Sequence, residues 1–498
     1  MNVNPITRLD YPDPDVIRVE DTYYMVSTTM HFMPGCEILQ SFDLVHWEHV
    51  TYVYETLDHT DAQQLKSGQN IYGQGMWAAS LRYHEGRFCI CFVANDTRKT
   101  YLYTSEKIDG PWKKQLIEGF YHDASLLFDE DGRNYIVYGN DEIWITELNE
   151  DLTAPKKDGL HRLLVSDHKN PELGYEGSHI QKINGYYYIF LVHSLRDRWM
   201  RTEACFYSDS LEGEFTGGDV LCDDRGYCGQ GVAQGGIVDT PDGKWYAMLF
   251  QDSGAVGRIP ILLPVTWKDH FPFFGQNGHV PEEIEVHSTR PGYIYQPLVG
   301  SDDFCNGLLP RWQFNHDPDP RYYHLDALQG TYTITTREVC TELTQAVNTL
   351  TQRMSYPSCA AEVTVDASAL KEGDVAGLCA LQGCYAAVGI TKHHGKYEVL
   401  MLDKKEDGIL DMTEGTVVES HQMDFRLEAD FCNMKDEARC YYRVNKGDWL
   451  PIGTVHKLYF KLDHFTGCRF GLFCYAAEKT GGSACFRDFK YYDVDEIS

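Results

Sequence analysis

No uninterrupted apolar stretch in the 498-residue chain approaches the roughly 18 residues of a membrane span. The opening MNVNPITRLDYPDPD also lacks the apolar core of an export signal, so a cytoplasmic protein without a membrane partner is expected. Basic residues are scarce: 44 Lys and Arg stand against 74 Asp and Glu, a formal charge of −30. A surface of that sign repels phosphate backbones, which excludes nucleic acid and favours a neutral ligand. The 16 cysteines form no CxxC and no Cys/His group with zinc spacing. They read as reduced, buried thiols, with no metal ligands expected; Cys89 and Cys91 share one strand face as small core residues do. The adjacent His393 and His394 of KHHGK read as a solvated hairpin turn. Helical periodicity is almost absent.

Aromatic residues are abundant, with 33 Tyr, 23 Phe and 9 Trp. They favour strands and suit a β-core, and a minority can serve as sugar-stacking platforms. The length calls for two or three domains. One pattern recurs five times: a small-to-apolar strand, a tight acidic or glycine turn, then an aromatic strand. It appears at DVIRVEDTYYMVSTT (15–29), SLRYHEGRFCICFVAND (80–96), SLLFDEDGRNYIVYGND (125–141), HIQKINGYYYIFLVHS (179–194) and GIVDTPDGKWYAMLFQD (236–252). Each is a hairpin closed by HEG, DEDG, NG or PDG, with further strands behind it. Five such units predict a five-bladed β-propeller. The repeat fades after residue 278, and strands such as TYTITTRE and CAAEVTVDA beyond the connector 287–304 alternate as in an antiparallel β-sandwich. The expected division is a propeller over 1–297 and a sandwich over 298–498.

In a propeller, equivalent positions of the innermost strands converge on one funnel. Aligned on their turns, the repeats place Asp13, Trp77, Asp123, Glu176 and Gln234 at that position, within a register slip of one or two, at spacings of 64, 46, 53 and 58 residues. Singly, PDPD is a turn, HDASL a strand entry and YEGSH a loop glutamate. Together they place three carboxyl groups in one ring, which is costly to bury without a purpose. Glycoside hydrolysis by inversion needs one carboxylate to activate water and one carboxylic acid to protonate the leaving oxygen, and a third can tune the acid. Arg258 reads either as a structural ion-pair partner or as a group holding sugar hydroxyls and a carboxylate. Trp77 and Phe32 read as core or as subsite walls, with core the default for Phe32.

At these residues the sequence resembles glycoside hydrolase family 43. The resemblance runs through NPITRLDYPDPDVIRVEDTYYMVSTTMHFMPGCEILQSFDLVHWE (4–48), GMWAASLRYHEGRF (75–88), DASLLFDEDGRNYIVYG (123–139), YEGSHIQKINGYYYIF (175–190) and QGGIVDTPDGKWYAMLF (234–250), and into the second half at DDFCNGLLPRWQFNHDPDP (302–320) and NTLTQRM (348–354). It implies a propeller with a concanavalin A-like sandwich. It also implies Asp13 as general base, Asp123 as modulator of the acid and Glu176 as general acid. Trp77, Gln234 and Arg258 would bind substrate, with Phe32 in a subsite wall. The implied activity is inverting, exo-acting release of xylose or arabinofuranose from oligosaccharides; an endo-acting arabinanase and a non-catalytic sugar-binding propeller stay as alternatives. No cofactor is required. A structural calcium stays open, although GVAQGG (231–236) lacks the histidine many relatives carry there, and WAAS (77–80) departs from WAPD or WAPS. A homo-oligomer is compatible with the sequence.

Overall fold

The computed structural model describes residues 2–493. The chain is all-β, and its first half forms five four-stranded antiparallel sheets arranged as propeller blades. Their innermost strands are Asp15–Val19, Met76–His84, Ser125–Phe128, Glu176–Ile183 and Ala233–Asp239. Blades I to V follow the chain, and each is built from one continuous segment. A separate apolar cluster fills each of the five gaps between neighbours, for instance Val26 and Leu81 between blades I and II, and Phe190 and Leu249 between IV and V. Each fully buried Leu, Ile or Phe contributes about 1.5–3 kcal/mol, so the ring is held by these wedges rather than by shared strands.

The ring closes between blades V and I through the N-terminal segment. The Asn4 amide donates to the Leu262 carbonyl at 2.8 Å and accepts from its N–H at 3.1 Å, while Leu9 and Tyr11 pack with Met248 and Leu262.

The second half is a sandwich of a nine-stranded and a seven-stranded sheet around a core that includes Trp312, Tyr332 and Phe425. The nine-stranded sheet takes its outermost strand, Phe32–Met33, from within blade I, where it pairs with Phe314 and Asn315. Phe32 therefore lies between the domains with the Arg469 guanidinium 3.4 Å over its ring. The expectation that it walls a sugar subsite is corrected: after Thr29 the chain leaves the blade to join the sandwich, which carries the Phe32 ring away from the funnel.

Further contacts weld the halves. Arg353 Nη1 lies 2.9 Å from Glu37 Oε2, both buried, and Arg353 Nε donates to the Asp10 carbonyl at 2.9 Å. The Asp10 carboxylate accepts the N–H of Arg258 at 2.7 Å and that of Gly467 at 2.8 Å, one from each domain. His31 of the propeller packs against His316 and His464 of the sandwich around Tyr72. Burial holds His31 and His316 well below the usual histidine range and His464 at about 3, so they pack as neutral rings. The aromatic connector is docked as well: the Phe42 N–H donates to the Tyr295 hydroxyl at 2.8 Å.

Candidate active site

At the head of each innermost strand one residue adopts positive φ: Asp13 (52°), Ala78 (35°), Asp123 (46°), Gly177 (68°) and Gln234 (66°). Four of the five are not glycine, and each such left-handed residue costs about 1–2 kcal/mol. The register shifts between Trp77 and Ser80, Glu176 and His179, and Ala233 and Gly236, marking bulges at these strand heads. The turn-aligned ring therefore slips by one residue in blades II and IV. Ala78 and Gly177 are the true equivalents of Asp13, and Trp77 and Glu176 stand one residue earlier. Gly177 has a second constraint, since a Cβ there would meet Gln234 Cγ at 2.6 Å.

The strand heads open into a cavity of about 490 Å³ lined by Asp13, Trp77, Asp123, Glu176, Gln234 and Arg258. Six of the seven residues singled out in the sequence thus meet in one place, with Phe32 outside it. Asp13 accepts a 2.6 Å hydrogen bond from the Thr28 hydroxyl, which in turn accepts the Ala78 N–H at 2.8 Å. Arg258 Nη1 lies 3.2 Å from Asp13 Oδ1 and supplies its counter-charge. Asp123 accepts the Gly177 N–H at 3.2 Å and lies 3.5 Å from the Gln234 amide. Burial pushes the Asp123 carboxyl up to about 6, against the nearby positive charge of His122. Glu176 Oε2 accepts from the Asn140 amide at 2.6 Å. Behind Gln234, burial pushes the Glu203 carboxyl well above the usual range while it accepts the Gln234 N–H at 2.7 Å.

Several lining residues escaped the sequence reading. His122 places Nε2 3.3 Å from Glu176 Oε2 and 3.6 Å from Asp123 Oδ2. The negative charge of Asp123, then that of Glu176, lifts it to about 9, so it stands as an imidazolium at neutral pH. Its position next to Asp123 in HDASL was the available signal. Arg201 pairs with Asp252 at 2.9 Å and reaches the Gln234 side-chain oxygen at 3.3 Å. Trp77 Nε1, Arg201 Nε, Asp252 Oδ1 and Arg258 Nε are buried yet make no hydrogen bond.

The last wall comes from the sandwich. Phe460, Leu462 and Phe465 close one side, with Phe465 5.4 Å from Trp77 and its ring 4.1 Å from the Arg258 guanidinium.

Among the described residues, His122, Asp123 and Glu176 are the one group of three potential metal-binding side chains whose ligand atoms all come within 4.8 Å of one another. The donors suit calcium poorly, because that ion takes six to eight oxygens and one of the three donors here is an imidazole nitrogen. The small void beneath them, bounded by Asp13, Asp15, His179 and Gln234, has about 10 Å³ of room, enough for one water. The oxygens of Asp15 there are already engaged by Arg82, His179 and the Leu81 N–H.

The model for glycosyl hydrolases family 43 matches residues 3–272, and that for the beta xylosidase C-terminal concanavalin A-like domain matches 301–492. A solved bifunctional GH43-CE protein of Bacteroides eggerthii is 41% identical with a TM-score of 0.93; the match covers 100% of this chain, which spans 64% of that one. A beta-xylosidase of Formosa agariphila is 26% identical over 99% of this chain and 89% of its own length. A non-reducing end alpha-L-arabinofuranosidase of Bacteroides ovatus is 25% identical over 66% of this chain and 63% of its own. With the propeller, the appended sandwich and a carboxylate-lined cavity in one chain, and a family model matching more than half of it, this protein belongs to glycoside hydrolase family 43.

Proposed function

We propose that the protein is an inverting, exo-acting glycosidase that releases xylose or arabinofuranose from the ends of oligosaccharides. One observation carries this reading: three carboxyl groups converge on one cavity that the sandwich closes on one side. A closed wall favours a chain end over a passing chain, and the sugars follow from the names of the relatives.

Asp13 acts as general base. Paired with Arg258 and fixed by Thr28, it takes a proton from a water as the water oxygen bonds to the anomeric carbon. Glu176 acts as general acid, delivering its proton to the leaving oxygen as the glycosidic bond breaks. Asp123 faces the acid across His122 as the third carboxyl group of the site, in the modulator's place. Trp77 and Arg258 hold the terminal sugar, and Gln234 braces Asp123.

Leaving-group dependence tests the roles. A nitrophenolate departs with little help, whereas a sugar alkoxide needs a proton in the transition state. Glu176→Gln is expected to lose about 10²–10⁴-fold on xylobiose or an arabino-oligosaccharide while keeping more of its rate on aryl glycosides; Asp13→Asn loses both. Equal losses of the two substrates in Glu176→Gln would refute the assignment.

A further inference from the structure

We propose that His122 is a positioning residue of the reaction: with Asn140 it occupies Glu176 Oε2 and thereby confines the acid's proton to Oε1. This rests on Glu176 being the general acid.

A carboxylate oxygen offers two in-plane lone pairs. At Glu176 Oε2 one is met by the Asn140 amide at 2.6 Å, and His122 Nε2 lies 3.3 Å away, in place for the other. A proton placed on Oε2 would point at one of these N–H groups. Oε1 has no hydrogen-bond partner among the described residues, so the proton sits there, free to reach a leaving oxygen.

Asn140 can donate only through its amide, and His122 donates through Nε2 in every state only while doubly protonated. Its surroundings keep it so. The groups facing it are the carboxyls of Asp123, Glu176 and Asp13. The other cations around the cavity are committed elsewhere: Arg258 to Asp13, Arg201 to Asp252 and Lys461 to Glu406. Among the described residues, His122 is the single cation paired with Asp123 or Glu176.

The proton count closes. The O–H bond on Oε1 breaks, the proton joins the leaving oxygen, and the glycosidic bonding pair goes to that oxygen. Glu176 is left as a carboxylate whose Oε2 faces two N–H donors, one of them cationic. The attacking water gives its proton to Asp13, and exchange with solvent restores both groups.

The test compares His122→Gln and Glu176→Gln on xylobiose or an arabino-oligosaccharide and on the nitrophenyl glycoside, across pH. Removing the imidazolium should cost about 10–100-fold on the oligosaccharide and less than about fivefold on the aryl substrate. The alkaline limb of kcat/KM should move, because His122, raised to about 9 by the carboxyls around it, no longer titrates there. Free imidazole added to His122→Gly should restore part of the oligosaccharide rate. A purely structural role would lower both substrates together, leave the limb in place and give no rescue; that result overturns the proposal. If Glu176→Gln itself showed no substrate contrast, the underlying acid assignment would fall instead.

Discussion

Phe465 reaches from the sandwich into the propeller's cavity, and shortening it to alanine tests whether the second domain is part of the site. The ring contacts the Arg258 guanidinium at 4.1 Å, Trp77 at 5.4 Å and Phe460 at 5.6 Å. A desolvated cation–π contact is worth about 2 kcal/mol and each of the two aromatic pairs about 0.5, so the loss in stability is about 3 kcal/mol. With an unfolding entropy of about 2.1 cal/mol/K per residue, a chain of 498 residues should melt about 3 °C lower. Catalysis should suffer more. Without the ring, water reaches the guanidinium that offsets Asp13 and the wall against which the sugar sits is gone. A loss of 1.4–2.8 kcal/mol in transition-state stabilisation is a fall of about 10–100-fold in kcat/KM. Calorimetry and initial rates on xylobiose and on the nitrophenyl glycoside measure both quantities. A variant that melts about 3 °C lower yet keeps kcat/KM within about threefold would show that the ring is only a packing element, and the reasoning would fail.

Arg353→Met leaves Glu37 buried without its partner, so a destabilisation of about 3–5 kcal/mol is expected, read as a lower melting temperature in calorimetry, and a shift below 1 °C would contradict it. Ending the chain at residue 297 strips Phe32–Met33 and Asp10 of their partners, and the product should be aggregated or inactive on short oligosaccharides. His122 is raised from its ordinary 6.5 to about 9, so the stability it contributes is complete below 6.5 and lost as pH rises through 9. The melting gap between the parent and His122→Gln should accordingly narrow from pH 7 to pH 10. Proton NMR of early product should show the inverted anomer, and dialysis against a chelator should leave the rate unchanged within about twofold.

The propeller was legible because its hairpins repeat the same turn chemistry, and each turn fixes a register that points Asp13, Asp123 and Gln234 at the axis. Glu176 and Trp77 were found in spite of the bulges at their strand heads, since a one-residue slip lies inside the tolerance of aligning turns. Phe32 could not be placed, because a two-residue strand has no periodicity and its partners Phe314 and Asn315 lie some 280 positions away. Phe465 was hidden for the same reason: nothing local in LYFKLDHFTG distinguishes a sandwich loop from one that reaches across a domain interface. His122 was passed over because a histidine at a strand entry is ordinary until two carboxylates are seen around it.

The loan of Phe32–Met33 to the sandwich has a bearing on biosynthesis. A chain made from its N-terminus exposes this pair, and the Glu37 side chain near it, about 280 residues before the receiving strand Gln313–Asn315 exists. The sheet position beyond that, held by Leu350–Arg353, arrives later still and brings the partner of Glu37 with it. The five blades can assemble as they emerge, but the finished catalytic cavity awaits the loop at 460–465. A chain halted before that loop would thus lack one wall of its cavity, whatever its blades had already formed. Activity itself becomes a report that synthesis has passed residue 465.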